Sequence, residues 1–154
     1  MAAIIPTVRV QSEDFSVEEE VRLLSKGRRA VGAVVAFAGI CRDEDGMLAA
    51  LELEHYPGMA EAEITRIAQE AAARWPITGV TAIHRVGKIK PGENIVLVIT
   101  ASPHRQAAFE AASFLMDFLK TDAPFWKKEH RTDGSADEWV SAKETDGAAK
   151  ARWK

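Results

Sequence analysis

The spacing of apolar residues changes several times along the chain, and each change marks an expected element. Residues 4–10 form a β-branched run that predicts a short strand. Ser16-Val-Glu-Glu19 has the form of a capping box, with Ser16 as N-cap and Glu19 reaching back. Val17, Val21 and Leu24 continue it as a helical stripe that Gly27 can stop. Residues 31–40 are continuously apolar and β-rich, which predicts a central strand buried on both faces. A charged loop with Asp-Gly turn chemistry follows over residues 41–46. Residues 48–56 then alternate, Leu51 and Leu53 against Glu52 and Glu54, as a half-buried strand does. Pro57-Gly58 breaks that strand, and residues 59–75 are the clearest amphipathic helix, stopped by Pro76.

Residues 80–89 and 93–101 predict two more strands, joined by a hairpin-like turn at Lys90-Pro91-Gly92. Ser102-Pro103 opens the next helix, Ser102 as N-cap and Pro103 at the first position, and that helix runs to about Lys120. Residues 125–131 and 138–142 read as a final pair of strands around Asp133-Gly134. The polar tail from about residue 143 reads as a short helix or an arm carrying Trp153. Helices punctuate hairpins here rather than alternating strictly with strands. That order predicts an α+β sandwich with mostly antiparallel pairing, not a doubly wound parallel sheet. With no repeat, low-complexity stretch or linker, residues 1–154 are expected to form a single domain.

Charge narrows the function. A net charge of −3 argues against a general nucleic-acid binder. The cations gather near Arg42, at His104 and Arg105, and over residues 120–131, a distribution suited to a small anionic ligand. The single cysteine, Cys41, excludes a disulfide framework and a cysteine-based zinc cluster. Four histidines without a helical i, i+4 pair make a weak metal case, so no metal or cofactor is expected. No apolar run approaches the ~18 residues of a membrane span, and no secretory leader is evident, which makes a cytoplasmic protein the expectation.

Three groups could carry chemistry. Lys120, Lys127 and Lys128 surround the Pro124-Phe125-Trp126 knuckle, where ammonium groups near an apolar wall would suit an anion. In a strand over residues 125–131, Phe125, Lys127 and Glu129 share one face while Trp126, Lys128 and His130 share the other. Only one of the two adjacent lysines can then enter a given pocket. His104 and Arg105 fall in the first turn of a helix, where free amide groups and the dipole already attract an anion. Arg42 leaves the apolar run at 31–40 into a loop. His55, His84 and Arg85 lie in strands, where such residues are more often hydrogen-bonded than ligating. Cys41 is open to two readings, a sulfur-carrying nucleophile beside Arg42 or an inert buried thiol.

Five segments, in order, carry a resemblance. They are Gly32-Ala-Val-Val-Ala-Phe37-Ala-Gly-Ile-Cys-Arg42, Leu53-Glu-His-Tyr-Pro-Gly-Met59, Ile83-His-Arg-Val-Gly87, Ser102-Pro-His-Arg-Gln-Ala-Ala-Phe109 and Met116-Asp-Phe-Leu-Lys-Thr-Asp-Ala-Pro-Phe-Trp-Lys-Lys-Glu129. Together the segments resemble the catalytic (large) subunit family of molybdopterin synthase. The resemblance implies an α/β hammerhead-type fold with an additional, mostly antiparallel sheet, and a homodimer. It implies a small ubiquitin-like carrier at each end, forming a heterotetramer. The carrier's thiocarboxylated Gly-Gly tail would deliver sulfur to cyclic pyranopterin monophosphate to make the dithiolene.

By the same resemblance, Lys120 and Lys127 would be catalytic. Arg42, His104 and Arg105 would bind the anionic substrate, and Phe37 and Met116 would line its pocket. Lys143 stands where the family often has Arg, which weakens any bidentate phosphate contact there. Two competing functions are a scaffold that binds a ubiquitin-like tail or a phosphate ligand without turnover, and a sulfurtransferase dependent on Cys41.

Overall fold

A computed structural model describes residues 4–43, 45–121, 124–140 and 151–153. The elements in chain order are β1 (Thr7–Gln11), α1 (Val17–Ser25), β2 (Ala33–Ile40), β3 (Leu48–His55), α2 (Met59–Arg74), β4 (Gly79–Arg85), β5 (Gly87–Ile89), β6 (Asn94–Ser102), α3 (Arg105–Leu119) and β7 (Phe125–Arg131). Four strands form one sheet in the order β1-β4-β6-β2, and three form a second in the order β5-β3-β7. Only the β1–β4 pair is parallel. The mixed helices and two sheets bear out the α+β expectation.

Side-chain alternation assigns the two faces of the larger sheet. Val80, Ala82, Val96 and Val98 point into the main core, which α2 and α3 cover with Ile64, Ile67, Phe114 and Leu115. Ile83, Leu97, Ile99 and Ala101 point to the opposite face, where Leu24 of α1 closes a second cluster. Cys41, Leu53 and Ile89 form a third cluster at the smaller sheet.

Several boundaries differ from the sequence expectation, each for a local reason. The apolar run at 31–40 is not a central strand. β2 sits at the edge of its sheet, with Phe37 and Ile40 exposed, because apolarity on both faces does not report whether both edges are paired. The expected strand at 80–89 is broken at Val86. Gly87 takes a positive φ of 87° there, and the chain crosses from the first sheet into the second as β5. Ser102 does not cap α3. It extends the β6 ladder opposite Ala33, and its hydroxyl donates to the His104 carbonyl. Pro103 and His104 form the bend that follows, so α3 starts at Arg105 with His104 as N-cap.

Ser16 does accept from the Glu19 amide at 3.2 Å, but the Glu19 carboxylate turns to Arg22 at 3.0 Å instead of reaching back. The complementary half of such a box closes α2, where Glu61 accepts from the Gly58 amide at 3.0 Å. After β7, Gly134 makes the turn, and the returning chain touches the strand through two isolated bridges, Lys127 to Val140 and His130 to Ala136. The remainder of that expected strand, residues 141–142, and most of the tail lie outside the described residues. Trp153 docks beside Trp75 and Phe114 at ring separations of 5.6 and 5.8 Å.

Candidate functional site

The direction of α3 divides the candidate residues into two groups. A tight turn at Pro103 sends the helix back along β6, and Thr100 Oγ1 fastens it by donating to the Ala108 carbonyl at 2.6 Å. α3 has 15 residues, so its ends lie about 22 Å apart at the usual rise per residue. His104 and Arg105 are exposed at one end, and Lys120 is exposed as C-cap at the other. A single chain therefore does not bring these three cations into one pocket.

At the His104 end the backbone is held tightly. The Gly32 amide donates to the Ser102 carbonyl at 2.9 Å. A Cβ on Gly32 would run into the Pro103 carbonyl oxygen, so only glycine allows β2 to pass this close. The first turn of α3 holds no acidic side chain, and its N-cap makes no side-chain hydrogen bond. Its leading amides are thus open to an anion that Arg105 can also reach.

At the Lys120 end several segments converge. The Lys120 amide closes the helix on the Met116 carbonyl at 3.1 Å, and Thr121 Oγ1 donates back to the Asp117 carbonyl at 3.0 Å. Ile40 pairs with Asn94 and the Cys41 amide donates to the Glu93 carbonyl at 2.8 Å, which puts Arg42 at this same edge of the larger sheet. Phe37 shares the parity of Val35, so it stands on the α3 side of β2, and Met116 is half-buried near the end of α3. After Lys120 the chain crosses to the smaller sheet, where Phe125 opens β7. Residues 122 and 123 of that crossing, and Lys143, lie outside the described residues.

Phe125 links the two sheets. Its ring stacks on His84, at the end of β4, with centroids 3.9 Å apart and planes 15° from parallel. His55, opposite Phe125 in the ladder, stacks on the same ring at 6.1 Å. The His84 Nδ1 lies 2.8 Å from the Arg85 carbonyl oxygen. Burial pushes the His84 pKa down to about 4, the Arg85 carbonyl opposes that shift, and the positive charge of Lys120 and then His55 reinforce it. His84 is therefore neutral at ordinary pH and lies within the field of Lys120. Sequence reasoning set both histidines aside. Parity with Val80 and Ala82 could have placed His84 on the helix-covered face, but nothing local announced its cross-sheet partner.

The two adjacent lysines separate as the strand period requires. Lys128 places its ammonium over the Trp139 ring at 4.5 Å. Lys127, half-buried opposite Leu53, falls on the face of β7 that Phe125 uses to reach His84. Cys41 is 3% exposed, and its thiol approaches the Ile89 carbonyl at 3.8 Å. Burial pushes its pKa up, and Glu93, Asp43 and Glu129 add to that. A thiol so placed is a poor source of thiolate. Among the described residues no group of three or more His, Cys, Asp or Glu could hold a metal ion.

The MoaE protein family model matches residues 10–122, and the chain belongs to that family. A molybdopterin synthase catalytic subunit of Mesorhizobium japonicum is 69% identical over 153 residues, covering 99% of this chain and 96% of the relative. A molybdopterin cofactor biosynthesis protein E from Burkholderia multivorans has a TM-score of 0.84 and 49% identity, covering 97% of each chain. A complex of subunits 1 and 2 of molybdopterin-converting factor from Helicobacter pylori shares the fold, with a TM-score of 0.71, 19% identity, and 89% of this chain and 90% of that one covered. The chain is thus a catalytic, sulfur-transferring subunit of molybdenum cofactor biosynthesis.

Proposed function

We infer that the chain moves sulfur from the thiocarboxylated C-terminus of a small ubiquitin-like carrier to cyclic pyranopterin monophosphate, building the molybdopterin dithiolene. The observation that supports this reading is the stacking of Phe125 on His84, a ring on which the charge of Lys120 acts, on the face of β7 that also carries Lys127. Cationic side chains beside an apolar seat would take up an anionic tail, and a thiocarboxylate needs no Ser, Cys or metal to activate it. In this reading Lys120 stabilises charge at the carrier's terminal carbonyl and donates protons to departing groups, and Lys127 positions the substrate. Phe37 and Met116 line the apolar wall. Arg42, His104 and Arg105 hold the phosphate, with Lys143 as a further contact. The small-subunit partner accords with the two-subunit composition of the Helicobacter pylori complex. In this reading the reaction takes place in the cytoplasm; separately, no described helix is long and apolar enough to cross a membrane.

The separation along α3 adds an architectural element to this reading. His104 and Arg105 can join Lys120 in one site only if they come from a second copy of the chain. A homodimer with two composite sites, each also serving a carrier, satisfies that geometry. The exposed edge strand β2, which carries Phe37 and lies beside the Pro103–His104 turn, supports such an arrangement. The test is a single-turnover assay with purified chain, thiocarboxylated carrier and cyclic pyranopterin monophosphate, with product oxidised to its fluorescent derivative. Lys120→Ala is expected to lower the rate at least 100-fold, the range for a lost general acid, while fold and carrier binding persist. Near-normal turnover by Lys120→Ala would remove the assigned role. No product from folded, carrier-binding wild type would leave a scaffold instead.

A further inference from the structure

We propose that His84 is a positioning residue for Lys120, a neutral imidazole whose unprotonated Nε2 orients the lysine ammonium by accepting a hydrogen bond from it. This rests on the sulfur-transfer reading above and assigns a role to a residue outside the set named there.

The tautomer follows from the hydrogen bond at Nδ1. A carbonyl oxygen can only accept, so Nδ1, 2.8 Å from the Arg85 carbonyl, carries the ring proton. In a neutral ring Nε2 is then bare, and no hydrogen bond to it occurs among the described residues. Three features place this acceptor at the end of α3. His84 ends β4 on the face that α2 and α3 cover, opposite Val96 at the start of β6, to which α3 returns. Phe125, five residues beyond Lys120, stacks on the imidazole at 3.9 Å and fixes its plane. The charges of Lys120 and then His55 act on the ring, and its ladder partners Val10 and Val96 are apolar.

The chemical consequence lies in what His84 is not. No described carboxylate is paired with Lys120. An Asp or Glu in this place would fix the ammonium by ion pairing and offset the charge an anionic tail must meet. A neutral acceptor orients Nζ and leaves its charge available. The protons of the lysine can then be aimed at the reacting carbonyl without a competing counter-ion.

The experiment uses full-length chain, thiocarboxylated carrier and cyclic pyranopterin monophosphate. His84→Phe keeps a ring against Phe125 and removes both nitrogens, whereas His84→Gln returns an acceptor near the position of Nε2. His84→Phe is expected to lower the single-turnover rate about 10- to 100-fold, as for a lost hydrogen bond to a charged group, without changing carrier affinity. His84→Gln is expected to recover most of the loss. In a Lys120→Ala background His84→Phe should cause no further decrease, since it acts through the missing lysine. A folded His84→Phe with wild-type rate, or an equal decrease with and without Lys120, overturns the proposal.

A second measurement does not depend on turnover or on the folding of His84→Phe. Nitrogen-15 spectra of histidine-labelled wild type should show His84 protonated on Nδ1 and bare on Nε2 at neutral pH, and the Nε2 resonance should move in Lys120→Met. A ring protonated on Nε2, or an Nε2 resonance indifferent to Lys120, also overturns it. Should wild type give no product, the sulfur-transfer reading fails by itself, and the spectra still decide whether His84 engages Lys120.

Discussion

Two inactive variants of this chain should restore activity when combined. Lys120→Ala removes the proposed proton donor at one end of α3, and a His104→Ala/Arg105→Ala chain removes the proposed phosphate grip at the other. The two ends stand about 22 Å apart along 15 residues. Extended Lys and Arg side chains reach only about 6 to 7 Å each, so they cannot close that span within one chain. In a composite homodimer each site takes Lys120 from one copy and His104 with Arg105 from the other. A mixed dimer then has one site carrying every substitution and one site carrying none. Random assortment makes about half of the dimers mixed, so an equal mixture should recover about a quarter of wild-type activity.

The parents set the background. Loss of the general acid costs on the order of 100-fold or more, and loss of charge-assisted phosphate contacts costs roughly 10- to 100-fold each. A quarter of wild-type rate stands well above either parent. Co-expression with two affinity tags isolates the mixed dimer, whose single-turnover amplitude should be about half that of wild type per dimer. Activity no greater than the average of the two parents would refute the composite site, because complete sites confined to single chains cannot complement one another.

Three further perturbations test how the fold supports the site. Arg85 is buried, donates to the Ser12 carbonyl at 3.1 and 2.8 Å and to the Asn94 carbonyl at 2.9 Å, and lies near Asp14 and Glu93. Arg85→Met should therefore cost about 3 kcal/mol in urea unfolding; a change below about 0.5 kcal/mol would refute this structural role. Gly32→Ala should cost about 1–3 kcal/mol, since its methyl meets the Pro103 carbonyl. It should also weaken phosphate binding at the adjacent His104 end while leaving carrier binding intact, and unchanged affinity for inorganic phosphate would count against that link. His84 binds its proton with a pKa of about 4 in the folded chain against 6.5 in the unfolded one. Its contribution to stability is complete above pH 6.5 and is lost as pH falls towards 4, by about 3 kcal/mol. In His84→Phe that acid-sensitive part should be missing, which paired urea titrations at pH 7 and pH 4 would register as a smaller loss.

The sequence made the helices and most strands legible because their signals are local. Ser16 before a helical stripe, Pro76 after Trp75 and the alternation of Leu51 to Glu54 each impose a backbone preference within a few residues. The β4–β5 break had a local sign in Gly87, but a uniformly β-rich stretch around it hid the change of sheet. Edge position could not be read at all. The run at residues 31–40 has the apolarity of a central strand, and only pairing over long sequence separations puts β2 outermost.

The same distinction governs the site. Strand parity alone sorts Lys127 from Lys128, and helix position alone singles out His104 and Arg105 as candidates for binding an anion. Where such groups meet depends on distances that sequence proximity misstates. His104 and Lys120 are 16 positions apart and sit at opposite ends of a rigid helix. His84 and Phe125 are 41 positions apart and stack at 3.9 Å. The fold therefore divides these cations between the two ends of α3 and puts a neutral histidine within the field of Lys120. If the two ends must act together, the reaction depends on assembly. Dilution that dissociates the chains should then abolish phosphate-dependent turnover before any loss of fold, because either end of a lone chain presents only part of the charge that the proposed site combines.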